Sequence, residues 1–195
     1  MRIYRAAVLV VLSALWASVA CAAEQYLIDP AHSSVEFSVA HMVLTRVKGN
    51  FTQFSGEIFD DERDIAKSWV KVVVNADSIS TNQPDRDKHL RSKDFLFVQK
   101  YPEIIFESRR IEKKAGGYLC FGTLSLHGVS KQVGIPFVIT GKIKDPKGKT
   151  RIGIEGVLTL DRRDYGIVWG KVMSDGGLMV GNDVKVALSV EAILQ

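Results

Sequence analysis

The chain has 195 residues, 46% of them hydrophobic, with 26 Lys and Arg against 22 Asp and Glu and a formal net charge of +4. That length gives one domain of ordinary size with enough chain for a core. The charges are mixed along the sequence, with no concentrated basic face, so nucleic acid is not an expected partner.

The first segment reads as a targeting signal. Arg2 and Arg5 precede an apolar run over 6–19, and Ala20-Cys21-Ala22 supplies a small-x-small cleavage pattern before Glu24. The expectation is a signal peptide over 1–22 and an exported domain over 23–195. The run is shorter than the roughly 20 apolar residues of a spanning helix, and no second run approaches that length. No integral membrane segment is therefore expected after cleavage. Ser18-Val19-Ala20 matches a lipoprotein signal poorly. Cleavage removes Cys21 and leaves Cys120 without an internal disulfide partner. Its expected role is that of a small buried apolar residue.

The rest of the chain is dominated by two-residue alternation, the mark of half-buried strands. Residues 33–41 place Val35, Phe37, Val39 and His41 on one face. Residues 47–59 alternate with a break near Gln53-Phe54, where a bulge would reset the faces. Residues 69–75 align Val70, Val72 and Val74. Pro84 to Tyr101 then has helical character, with Pro84 at a first turn and Asp85 and Asp87 near its positive end. Leu90 and Phe97 are its expected contacts with a sheet. Residues 103–111 align Ile104 and Phe106. Residues 118–126 align Cys120, Gly122, Leu124 and Leu126. Residues 133–142 align Val133, Ile135, Phe137 and Ile139. Residues 151–160 align Ile152, Ile154, Leu158 and Leu160.

Residues 161–182 form a long Gly-rich connection holding Tyr165, Trp169, Met173 and Met179, and long connections are often functional. The last strand, 184–192, aligns Val184, Val186, Leu188, Val190 and Ala192. Compact turns at Ala115-Gly116-Gly117, His127-Gly128-Val129-Ser130 and Asp145-Pro146-Lys147-Gly148 imply successive hairpins. Eight antiparallel strands can close as a barrel or stack as a sandwich, and the pattern alone leaves both open.

No nucleophile elbow, phosphate loop or dinucleotide fingerprint is present. His32, His41, His89 and His127 do not form a zinc-binding motif. His41 is either a core histidine bonded to a backbone carbonyl or a polar contact at one end of a cavity. The charged run Arg86-Asp87-Lys88-His89-Leu90-Arg91-Ser92 is either a solvated helix face or a lid whose cations meet an anionic headgroup. Asn50-Phe51-Thr52 matches a glycosylation sequon, a pattern common by chance.

Several blocks together resemble the YceI-like family of periplasmic proteins. They are Asp29-Pro30-Ala31-His32-Ser33 leading into Val35-x-Phe37-x-Val39-x-His41, Gly49-x-Phe51-x-x-Phe54-x-Gly56, and Ser78-Ile79-Ser80-Thr81-Asn82 before Arg86–Ser92 and Asp94-Phe95. Tyr101-Pro102, Phe106-x-Ser108, Leu124-x-Leu126-x-Gly128-Val129-Ser130-Lys131 and Asp161-Arg162-x-Asp164-Tyr165-Gly166 complete the set. Gly170 stands where a polar residue is expected. The resemblance implies an all-β fold: an eight-stranded antiparallel lipocalin-like barrel with a short helical segment near 84–97. It also implies an isoprenoid or similar amphiphilic lipid held inside, with no cofactor beyond that ligand and no metal. On this pattern the inward faces become the wall of the site: Phe37, Val39, His41, Val72, Val74, Phe106, Leu124, Phe137, Leu158, Leu188 and Val190. Arg86, His89, Arg162 and Trp169 become headgroup candidates at the open end.

The leading expectation is thus a lipid-binding or lipid-carrying protein. One alternative is an enzyme acting on such a lipid, with His41 or His89 as acid–base. Another is an interaction module with a solid core, using outward residues such as Trp69 or Phe121. An outer-membrane barrel ranks last, because the outward faces carry Lys, Glu and Ser that a lipid-facing band excludes. Assembly as a homodimer stays open.

Overall fold

The computed structural model describes residues 23–195 except Val43 and Asp175. The expected signal peptide, its cleavage site and Cys21 lie outside the described residues.

The described strands are β1 (Glu24–Ile28), β2 (Ser34–His41), β3 (Thr45–Phe51), β4 (Phe54–Asp60), β5 (Trp69–Asn75), β6 (Ile79–Ser80), β7 (Glu103–Lys114), β8 (Gly117–Leu126), β9 (Val129–Lys144), β10 (Thr150–Asp161) and β11 (Val180–Leu194). A helix α1 (Pro84–Arg91) lies between β6 and β7. All strand pairings are antiparallel, in the order β1-β4-β5-β7-β8-β9-β10-β11, and β1 pairs back with β11 through Tyr26↔Leu194, Leu27↔Ile193 and Ile28↔Ala192. That pairing closes the sheet into a ring of eight, so the barrel is chosen over the sandwich and the edges disappear.

The short strands are continuations of this ring. β1 and β2 are one pass of the chain broken by a 3₁₀ turn at Pro30–His32. β3 and β4 are a second pass, broken at Thr52-Gln53, and β5 and β6 a third. β2 pairs with β11 and β3, and β3 with β6, which prolongs the wall at one end. The expected bulge near Gln53 is therefore a full bend. Thr52 N–H donates to Ser78 O and Asn75 N–H to Gln53 O, so the ladder is interrupted on both strands. The inward set still changes parity there, from Val47, Gly49 and Phe51 to Phe54, Gly56 and Ile58. A similar reset occurs at Arg109, where the β7–β8 register shifts between Ser108 and Arg110 and Ile111 joins the inner face. The Ser108 hydroxyl accepts from Val70 N–H at 2.8 Å and completes the β5 edge there.

The two ends of the barrel differ. At the lower end, Tyr26 (0% exposed), Ile28, Ile58, Ile152 and Ala192 form a closed plug backed by Val70, Ile154 and Leu194. The Tyr26 hydroxyl donates to Glu24, which also receives Lys142. Burial, and then the Glu24 bond, pushes the Tyr26 phenol up to about 12. At the upper end, Phe95, Leu126, Tyr165 and Ile167 belong to a second cluster that spreads under the loops. Cys120 sits buried in this cluster, and its burial pushes the thiol up to about 11, in keeping with an inert core role.

Two expectations shift. The helix ends at Arg91 and not near residue 97. Ser92 caps it, and Ser92 O accepts from both Phe95 and Phe97 N–H, winding the following residues into turns. Phe97, in a left-handed conformation, stacks edge-on against Tyr101, while Leu90, Phe95 and Leu96 face the barrel interior. Ile139 keeps its inward parity but lies beyond Tyr118↔Phe137, the last pair of the β8–β9 ladder, and is partly exposed.

Candidate functional site

The upper half of the barrel is hollow. A cavity of about 720 Å3 runs from the lower plug, at Ile28, Phe54 and Val72, to the loops above. Its wall is the inner face of the strands and is almost wholly apolar. Two glycines shape it. Gly49 lies opposite Phe37 and Gly122 beside Phe106. A Cβ at either would come within 2.5 Å of the facing ring, so each ring lies flat across bare backbone. The rings thereby occupy wall and not lumen.

Of the wall residues expected from the sequence, Phe37, Val39, His41, Val72, Val74, Phe106, Leu124, Leu158, Leu188 and Val190 line the cavity. Phe137 does not. It points inward, but below the cavity floor, where Tyr118 stacks on it at 5.2 Å between ring centres. The sequence reading packed Leu90 against a sheet and missed the rest of the cover. Leu90, Phe95, Leu96 and Ile167 also line the cavity, and no strand periodicity marks them because they sit in a helix and loops.

The polar lining residues gather at the upper end: His41, Gln83, Asp85, Arg86, His89 and Arg162. Gln83, Asp85 and Arg86 are also exposed, so the cavity meets solvent beside the start of α1. This corner is built by side chains bonding backbone. Asp87, buried, accepts from Thr81 N–H at 2.8 Å. Arg86 donates from Nε to Thr81 Oγ1 at 2.7 Å and from Nη2 to Thr81 O at 3.0 Å. Arg91 donates to Asp77 O and Ile79 O at 2.7 and 2.6 Å. Together they clamp α1 to the β6 segment.

Arg162 requires a correction. It lines the cavity but is only 5% exposed, and it faces no carboxylate at hydrogen-bond distance. Its donors go to Gly181 O, Ile167 O, Trp169 O, Val180 O and the Asn182 side-chain oxygen, at 2.6 to 3.4 Å. All five N–H groups are thus committed to the chain, and none is left for a headgroup. Burial pushes its pKa down from the ordinary arginine value. It ties both ends of the 161–182 connection together and contributes charge, not hydrogen bonds, to the cavity. Gly170 fits this arrangement, since a Cβ there would stand 3.3 Å from Arg162 Nη2.

His89 and Trp169 join that connection to α1. The His89 ring meets Trp169 edge-on at 4.8 Å and Phe95 at 5.0 Å, and Phe95 meets Trp169 at 5.1 Å. His89 Nε2 pairs with Asp94 at 3.0 Å. His127, at the β8–β9 turn, anchors the same connection through Nδ1 to Tyr165 O at 2.9 Å. Trp69 and Phe121, considered as partner contacts, are already engaged on the outer wall: Trp69 stacks on Phe59, and Arg110 lies over Phe121.

No helix among the described residues is long and apolar enough to cross a membrane.

Comparison with known proteins agrees with this architecture. The YceI-like domain model matches residues 26–192. A UPF0312 protein of Yersinia enterocolitica is 38% identical over 173 residues, covering 88% of this chain and 87% of that one. The Campylobacter jejuni YCEI protein superposes with a TM-score of 0.68 at 28% identity, over 80% of this chain and 90% of that one. BcnA of Burkholderia cenocepacia shares the fold with a TM-score of 0.74 at 19% identity, over 84% and 98% of the two chains. A polyisoprenoid-binding domain from Saccharophagus degradans does so with a TM-score of 0.62 at 17% identity, over 87% and 98%. A closed antiparallel barrel with an apolar cavity and a loop-built mouth, matched along nearly its whole length, places the chain in the YceI-like family.

Proposed function

We propose that the protein is a periplasmic carrier that holds an isoprenoid or similar amphiphilic lipid, with the tail in the cavity and the polar end at the mouth. The observation that carries this reading is the division of the cavity, apolar along its wall and polar only at its upper end. The volume lies within the usual range for ligand sites of about 300–1,000 Å3. At the roughly 30 Å3 of a small liquid-packed group, it accommodates on the order of two dozen heavy atoms, four or five prenyl units. Each buried CH2 contributes about 0.8 kcal/mol before ordering costs, so a few units give useful affinity. An apolar wall discriminates weakly among chains of similar girth, leaving selectivity to the polar end. Arg86, His89 and Trp169 are the contacts proposed there.

Binding is favoured over catalysis by the lining. The cavity wall is apolar, and His89, one of the two acid–base candidates, is held by Asp94 and packed on Phe95 and Trp169. The hollow interior also argues against a solid-cored interaction module.

Native mass spectrometry of protein isolated from the periplasm, followed by solvent extraction, tests the proposal. One isoprenoid per chain is the expected result. Leu188→Glu, which places a carboxylate in the wall, should weaken prenyl-lipid uptake about 100-fold, since an unpaired buried charge is costly. Isolated protein that carries no lipid and takes up no added prenyl lipid would overturn the reading.

A further inference from the structure

The loops around the mouth carry apolar residues turned away from the cavity. Leu44, Val168 and Val172 are 83%, 71% and 70% exposed, and Leu178 is exposed as well. Scattered exposed hydrophobics are ordinary, but a contiguous group marks a contact surface. Hydrogen bonds make three of these four neighbours. Met42 N–H donates to Met179 O at 3.0 Å, which ties the β2–β3 turn holding Leu44 to the segment holding Leu178. Met179 N–H donates to Lys171 O at 3.0 Å, and Val172 and Leu178 form a bridged pair, so their side chains share a face. Val168 stands between Ile167 and Trp169, whose carbonyls Arg162 holds.

The same segments face both ways. Ile167, Trp169 and Met179 line the cavity, while their chain neighbours Val168 and Leu178 face out. The collar is therefore a thin apolar wall between the lumen and the outside. Cations surround it. Lys171 lies within it, and Arg46, Lys48 and Lys185 lie on the outer face of the adjoining strands, with Ser38 paired to both Lys48 and Lys185. Arg46 bonds Ser38 and none of the four has an ion-pair partner among the described residues. On the α1 side exposed Lys88 and Lys93 stand with exposed Asp85, and Asp94 is paired with His89. Nearby Asp161 and Asp164 are already paired with Arg163 and Lys131, while Asp183 adds one negative charge near Arg163.

We propose that this collar docks on the surface of an anionic phospholipid bilayer, with Leu44, Val168, Val172 and Leu178 entering the interface and the cations meeting the headgroups. The occupant follows from the pairing of exposed apolar tips with cations that make no ion pair among the described residues, the combination that binds such interfaces. The inference rests on the cavity being a lipid site, and it supplies the route: cargo passes between bilayer and lumen across the collar, without crossing water.

Flotation of the purified protein with vesicles of phosphatidylethanolamine and phosphatidylglycerol, against vesicles of phosphatidylcholine, tests it. The protein should float with the anionic vesicles and be partly released at high salt. The double change Leu44→Asp and Val172→Asp should lower the bound fraction about tenfold while leaving the melting curve and prenyl-lipid uptake from detergent unchanged. Lys171→Glu should weaken binding several-fold, and only at low salt. Failure to float, flotation equal for wild type and the double variant, or capture of a protein partner through the collar with no vesicle binding would each overturn docking. Prenyl-lipid uptake without flotation would leave the carrier reading standing, and flotation without uptake would remove the carrier reading alone.

Discussion

The two ends of the barrel are held by different forces. The lower end is strand paired with strand, and its plug of Tyr26, Ile58, Ile152 and Ala192 relies on non-directional apolar burial. The upper end is mostly loop, and loops bring backbone carbonyls that need partners once covered. Arg162, Arg91 and Arg86 donate to such carbonyls, and Asp87 accepts the Thr81 N–H beside them. An apolar plug gives stability and seals. A hydrogen-bonded rim gives shape while keeping a passage, because its side chains fix the loops from within and leave the lumen beside them unfilled.

Three experiments press on this contrast. Tyr26→Ala should have the largest effect on stability, about 3–5 kcal/mol, as for other buried aromatic truncations; urea unfolding measures it. A loss under 1 kcal/mol would show that the lower end is not the stabilising half. Arg162→Met should cost less, about 2–3 kcal/mol, through carbonyls left unpaired. Its signature is local: hydrogen exchange should rise across 166–182 and prenyl-lipid uptake should fall, with the lower strands still protected. Uniform loss of protection would mean that the rim and plug unfold as one unit.

The smallest effect concerns the outer surface near the lower end. There the His32 ring and then the Arg151 guanidinium hold the Asp29 carboxyl down at about 2. Arg151 also engages Asp145 and Glu191. Because the folded pKa is depressed, the stability this network adds is complete above the unfolded value of about 3.9. It is lost as pH falls through about 2. Arg151→Met should raise the Asp29 pKa toward the ordinary range and flatten the dependence of stability on pH between about 4 and 2. Carboxyl NMR titration reads the first and urea melts at each pH the second, and an unmoved Asp29 would assign the whole depression to His32.

The strands were legible because each pass buries one face, and period-two patterning records burial directly. Val184 to Ala192 is the clearest case, and the inward parity of β2, β5, β8 and β10 followed the same rule. Most of the cavity wall came with them, since wall and core share that parity. Phe137 shows the limit. Parity tells which side a residue faces and says nothing of its height along the barrel, so a residue under the floor reads like one in the wall. Arg162 shows another. A conspicuous cation near a mouth reads as a headgroup contact until the loop that consumes its five donors is folded around it. Leu96 and Ile167 went unread because their burial depends on where the cover lies and leaves no local period.

The sequence by itself determined the all-β class, the eight passes, three hairpin turns and most of the inward set, because these depend on local backbone preference and on burial repeated every second residue. Tertiary structure alone decided that the sheet closes through β1 and β11, that the upper half stays hollow, and that Arg162 serves the rim. Closure, cavity height and hydrogen-bond partners arise between residues far apart in the chain, as in the pairing of Ile28 with Ala192, and no local pattern encodes the distance at which such residues meet.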